Sequence, residues 1–136
     1  MKACNVYIPN YDWVVRVYIG VTPKYANEVL SLLDSIGCSR KNIRKVKDLL
    51  LNSRRNEGIM FSNYRERISV MVIEATSTPA EFLDSLVHEC GHLAVHISTE
   101  AGIDLHAEEP CYIAGDFART IYPAIKEYLC CQCNHR

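Results

Sequence analysis

Two imidazoles and a carboxylate stand at fixed offsets in the string His88-Glu89-Cys90-Gly91-His92. In an α-helix, residues four apart share a face and lie about one turn, roughly 6 Å, apart along the axis. His88 and His92 can therefore each offer a ring nitrogen to one divalent ion, with Glu89 beside them at the same cleft. Neutral imidazole is a good zinc donor, and a carboxylate next to such a site is placed to take a proton from a water held there. The string points to a Zn2+ site and to hydrolysis with Glu89 as general base.

A zinc site that keeps one open position needs a third protein ligand. His96 continues the spacing but falls about 12 Å along the axis from His88, so it is expected to support the site or to sit in the core. A second glycine–histidine extension after His92 is absent. Glu108 and Glu109 remain, sixteen and seventeen residues past His92 at the start of the next helix. Either could equally be a solvated acid favoured by the helix dipole. Tyr112, Gly115 and Arg119 follow Glu108 at helical offsets, which favours Glu108. Pro110 disfavours helical geometry in the residue before it and points to Glu109 as the N-cap. Glu108 is preferred as the third ligand and Glu109 is the alternative.

The elements that must position these groups can be read from apolar periodicity and breakers. Trp13 to Val21 is rich in β-branched and aromatic residues and reads as a strand. Thr22-Pro23 opens a helix with Val29, Leu30, Leu33 and Ile36 on its apolar face and Gly37 as its stop. Ser39 caps a second helix to about Ser53, and Asn56-Glu57-Gly58 marks a turn. Gly58 to Ser62 and Arg67 to Ile73 form a hairpin around Asn63-Tyr64. Thr78-Pro79-Ala80-Glu81 is a capping box that starts the helix carrying the histidines, with its end expected near Ile97 or Ser98. A last helix runs from near Glu108 to Leu129. The order β-α-α-β-β-α-α predicts an α+β fold, a small, mostly antiparallel sheet packed on helices.

Length and composition are those of one ordinary globular domain spanning residues 1–136, with 49% hydrophobic and 23% charged residues and a formal charge of −1. Charge is segregated. Seven Lys/Arg against one acid lie between Ser39 and Arg55, whereas eight acids and no Lys or Arg lie between Glu74 and Glu109. The basic helix lacks interleaved aromatics, so it is expected to be a solvated face and not a nucleic-acid surface. No apolar run approaches the roughly 18 residues of a membrane span, and the N-terminus does not read as a secretory signal. Seven irregularly spaced cysteines are not a disulfide framework, which favours the cytoplasm. In the Cys-rich tail at 129–136, Cys130, Cys133 and His135 give a weak second metal pattern, with terminal thiols the plainer reading.

The runs SNYRERISVMVI, STPAEF, HECGHLAVHI and EEPCYIAGDF resemble small H-E-x-x-H proteins encoded by phages and mobile elements of gut bacteria, over roughly residues 13 to 133. In that group an acid followed four residues on by tyrosine and seven on by glycine recurs in the last helix, and Glu108, Tyr112 and Gly115 match it. The resemblance implies a minimal gluzincin-type architecture, a zincin-like metal helix plus a C-terminal helix. It also implies a zinc metallopeptidase in which Zn2+, held by His88, His92 and Glu108, acidifies its water. Glu89 would accept the proton and pass it to the departing amine. Tyr112, Tyr64 and His106 are the candidate oxyanion donors. By fold analogy, the strand Arg67 to Ile73 is the edge along which an extended peptide lies. The expected substrate is a peptide or protein. The alternative is a non-catalytic, metal-binding interaction module of a phage or mobile element, whose basic helix meets a host protein or nucleic acid. Nothing in the sequence fixes an oligomeric state.

Overall fold

Alternating valines and isoleucines supply two strands that are apolar on both faces, and these become the centre of the sheet. The computed structural model describes residues 1–52 and 57–130. It contains strands β1 (Lys2–Ile8), β2 (Trp13–Val21), β3 (Gly58–Asn63) and β4 (Ile68–Glu74). The helices are α1 (Ala26–Ser35), α2 (Arg40–Leu51), α3 (Pro79–Ala101) and α4 (Glu109–Ile125), with short 3-10 turns at Pro23–Tyr25 and Lys126–Leu129. The sheet order is β1-β2-β4-β3. β1–β2 and β3–β4 are antiparallel hairpins, and β2–β4 is a parallel pair that joins them. The α+β class holds, with a mixed sheet.

Helices cover both faces. Val15, Val17, Ile19, Met71 and Ile73 meet Phe82, Leu86, Leu93 and Ile97 of α3 and Ile113, Phe117 and Ile121 of α4. Tyr18, Val70 and Val72 meet Val29 and Leu33 of α1 and Val46 and Leu50 of α2. This two-sided burial explains the apolar run Val70 to Ile73 of β4, as in any interior strand. It also corrects one expectation. The strand Arg67 to Ile73 is not an edge but lies between β2 and β3, and the exposed edge on that side is β3.

Three further expectations change. β1 adds a strand to the front of the predicted order; its Lys2, Ala3 and Asn5 are exposed, so no apolar alternation announces it. Thr22 accepts no capping hydrogen bond, and the chain passes through a 3-10 turn before α1 begins. α3 continues past Ile97 and Ser98 to Ala101, where Gly102 in the left-handed region (φ 70°) closes it. Two caps are as predicted: Ser39 Oγ accepts the Asn42 amide at 3.2 Å and Thr78 Oγ1 accepts the Glu81 amide at 3.1 Å. Arg40, Lys41, Arg44, Lys45 and Lys47 all lie on the solvent side of α2. No helix among the described residues is long and apolar enough to cross a membrane. The expected turn residue Asn56, the basic pair Arg54 and Arg55, and Cys131, Cys133 and His135 of the tail lie outside the described residues.

Glu74 closes β4 with its side chain on the same face as Val70 and Val72, only 5% exposed, and its Oε1 has no hydrogen-bond partner. Burial, then the charge of Glu57, pushes its carboxyl up from 4.5 to about 7. The native state therefore holds a proton that the unfolded chain has released, and stability falls as pH rises between these two values. Glu74→Gln is expected to flatten this slope and to raise the denaturation midpoint above that of the wild type at pH 8. Urea melts from pH 5 to 8 check it, and parallel profiles for the two proteins would show that the carboxyl is satisfied in solution.

Candidate metal centre

The setting of α3 on the sheet decides where its polar side chains go. Phe82, Leu86, Cys90, Leu93, Ala94 and Ile97 form the buried stripe, which leaves His88 and His92 outside and Glu89 at the boundary. The two imidazoles face each other, with ring centroids 4.7 Å apart and Nε2 atoms 3.1 Å apart. Two nitrogens on one tetrahedral zinc, each at about 2.05 Å, are separated by about 3.3 Å. The pair already holds the spacing of two ligands to one ion.

Glu89 is 3% exposed, and its Oε2 has no hydrogen-bond partner. Its side chain lies over Gly58 at the start of β3. A Cβ built on Gly58 would stand 2.8 Å from Oε1 and 2.9 Å from Cγ of Glu89. Only a residue without a side chain leaves that seat open. Burial raises the Glu89 carboxyl above its ordinary range, and His88 pulls it partly back. An open cleft of about 320 Å³ runs here, bounded by Glu57, Gly58, Asp84, Ser85, His88 and Glu89. The two imidazoles are donors of a kind that suits a divalent cation, and the buried, unpartnered carboxylate oxygen beside them is placed to act as a base and not as a ligand.

His96 does not join the pair. Its Nδ1 lies 2.7 Å from Ser62 Oγ, which lies 2.6 Å from Ser69 Oγ, which accepts from Trp13 Nε1 at 2.8 Å. The indole can only donate. When each serine hydroxyl passes its hydrogen onward, the chain runs from Trp13 through Ser69 and Ser62 to Nδ1, and His96 is neutral with its proton on Nε2. Burial, and then His92, lowers the imidazole's affinity for a second proton. Tyr64 packs on the same ring at 5.3 Å and meets Trp13 edge-on. His96 thus anchors α3 to β3 and the Tyr64 turn.

The third ligand is not assembled with the histidines. Among the described residues, no group of three His, Cys, Asp or Glu side chains is placed to hold an ion. Glu108 is exposed and is itself the N-cap of α4, while Glu109 lies inside the helix with Pro110 in its first turn. This reverses the capping expected from Pro110, because the proline sits where a helix needs no amide hydrogen. Glu109 accepts a hydrogen bond from the Tyr11 hydroxyl. Burial, then that bond, pushes the Tyr11 phenol up to about 12. Neither Tyr112, exposed on α4, nor Tyr64 nor His106 bounds the cleft. Cys90 is a packed core thiol, pushed by burial and then by Glu89 up to about 12, which disfavours the thiolate that a nucleophile needs. A Cβ on Gly91 would meet nothing within 4 Å, so no neighbouring backbone requires glycine there.

Sequence reading did not single out Gly58, Glu57, Asp84 or Ser85 for the cleft, nor the hydroxyl chain behind His96. Two signals were available. Asp84 and Ser85 stand four and three residues before His88 on the same helix, and Ser69 interrupts an otherwise apolar strand. No protein-family model, curated protein or solved structure matches this chain.

Gly58→Ala is expected to cost about 1–3 kcal/mol of stability, because the methyl group must displace the buried Glu89 side chain. The same substitution in a Glu89→Ala background should cost much less, since the overlap is gone. Denaturant melts of the four proteins of this cycle measure the coupling, and equal costs in both backgrounds would show that Glu89 does not occupy the seat over Gly58.

Proposed function

We propose that this protein is a zinc-dependent peptidase that hydrolyses peptide bonds in a peptide or protein substrate. The observation that carries the reading is the approach of the His88 and His92 Nε2 atoms to 3.1 Å beside a buried, unpartnered Glu89 carboxylate. When bound, Zn2+ supplies a Lewis acid and brings the pKa of a water towards neutrality. His88 and His92 hold and orient. Glu89, raised by burial, accepts a proton at its carboxylate and returns it to the leaving amine. The Gly58 seat fixes the Glu89 rotamer, so proton transfer occurs from one geometry. The neutral His96, tied to Ser62, keeps this stretch of α3 from rotating.

The third ligand we assign to Glu108. Of the two acids it is the one that Tyr11 does not hold, and its side chain caps no amide of α4. A second reading, a metal-binding module without turnover, is favoured by one observation: no candidate oxyanion donor bounds the cleft. Both readings bind zinc, and only one cleaves.

Purified protein loaded with zinc should carry one ion per chain by elemental analysis and should cleave an unstructured protein substrate. Glu89→Gln is expected to keep the ion and to lose at least a hundredfold in cleavage. An active Glu89→Gln variant would overturn the proposed mechanism, and zinc bound with no cleavage by the wild type would establish the second reading. Glu108→Ala should weaken zinc binding at least tenfold and Glu109→Ala much less, as read by competition with a chromophoric chelator. The reverse order would assign the ligand to Glu109.

A further inference from the structure

The carboxyl ends of the parallel pair β2 and β4 lie side by side, with Val21 paired to Glu74. The chain leaves them in opposite directions. Thr22 leads into α1 on one face of the sheet, and Ala75 leads towards α3 on the other. Two connections that part at adjacent strand ends leave a crevice between them, and this is where open sheets with parallel strands take their ligands. A cavity of about 380 Å³ opens at that point, within the range of small-molecule sites.

Its lining is chemically specific. Val21, Pro23 and Leu50 give apolar walls, and Thr22, Thr76 and Glu74 bring oxygen atoms. Among the described residues, no lysine or arginine lines it. Glu74 is 95% buried by its 5% exposure, on the α1–α2 face with Leu50, and its Oε1 has no partner. An unpartnered buried carboxylate oxygen is costly to maintain. Glu57, whose carbonyl accepts the Glu74 amide at 3.2 Å, adds a second negative charge nearby. A bare metal ion is not the fitting occupant, because no third ligating side chain joins these acids among the described residues. An ammonium group has three N–H donors, and the lining includes Glu74, Thr22 and Thr76, each with a side-chain oxygen.

We propose that this crevice binds the ammonium group of a small aliphatic primary amine, with Glu74 as its counter-charge and Val21, Pro23 and Leu50 against its methylene groups. The site lies on the opposite face of the sheet from α3 and does not rest on the zinc reading.

The test is titration of the full chain, followed by amide NMR, with butylamine, with the neutral isostere 1-butanol, and with Nα-acetyl-lysine amide. Butylamine should shift the amides of Val21, Thr22, Ala75 and Thr76, and butanol should bind at least tenfold more weakly. Glu74→Gln should lower the affinity for butylamine at least tenfold, and chelating zinc should leave it unchanged. Acetyl-lysine amide binding as well as butylamine identifies a peptide's lysine as the source of the amine, and its exclusion identifies a free amine. Equal binding of amine and alcohol, shifts confined to other residues, or an unaltered affinity in Glu74→Gln would each overturn the proposal. If Glu74→Gln fails to fold, the comparison of amine with alcohol in the wild type decides.

Discussion

Everything at the candidate metal centre follows from the angle at which α3 is rolled on the sheet. A helix with a buried stripe through Phe82, Leu86, Leu93 and Ile97 has one low-energy setting, because each of these side chains contributes about 1.5–3 kcal/mol on burial. Rolling α3 by one residue, about 100°, would expose most of that stripe. The setting puts His88 and His92 in solvent on one shoulder and drives Glu89 inward over β3. The hydrogen bond from Ser62 to His96 pins the same shoulder one turn further on. Apolar packing supplies the energy, and two polar contacts supply the precision.

That division explains what was legible in the sequence. The roll angle could be read, since the stripe and the histidine spacing share one helical period and the capping box at Thr78 fixes where counting begins. The floor under Glu89 could not. Gly58 is separated from Glu89 by thirty-one residues, and its role depends on β3 being an edge strand that passes under α3. Edge and interior strands differ in pairing order, a property of the whole chain. The parallel β2–β4 pairing shows the same limit, because two hairpins can be joined through either strand of each. β4 carried a sign, the consecutive apolar residues Val70 to Ile73 that fill both of its faces. Lys2 to Ile8 carried none, and its pairing with β2 arises from proximity across the short turn at Pro9–Tyr11.

Two buried carboxylates lack a partner for one oxygen, Glu74 and Glu89. They flank the open end of the β3–β4 hairpin from opposite faces of the sheet, and Glu57 links them: it bounds the cleft of Glu89, and its carbonyl accepts the amide of Glu74. An orphaned buried oxygen costs about 1–3 kcal/mol, more when charged. Against a total stability of about 5–15 kcal/mol, two such groups are a large fraction. Leucine at either position would remove the orphaned oxygen, and glutamine would remove its charge. Packing therefore gives no reason for acids in these two places.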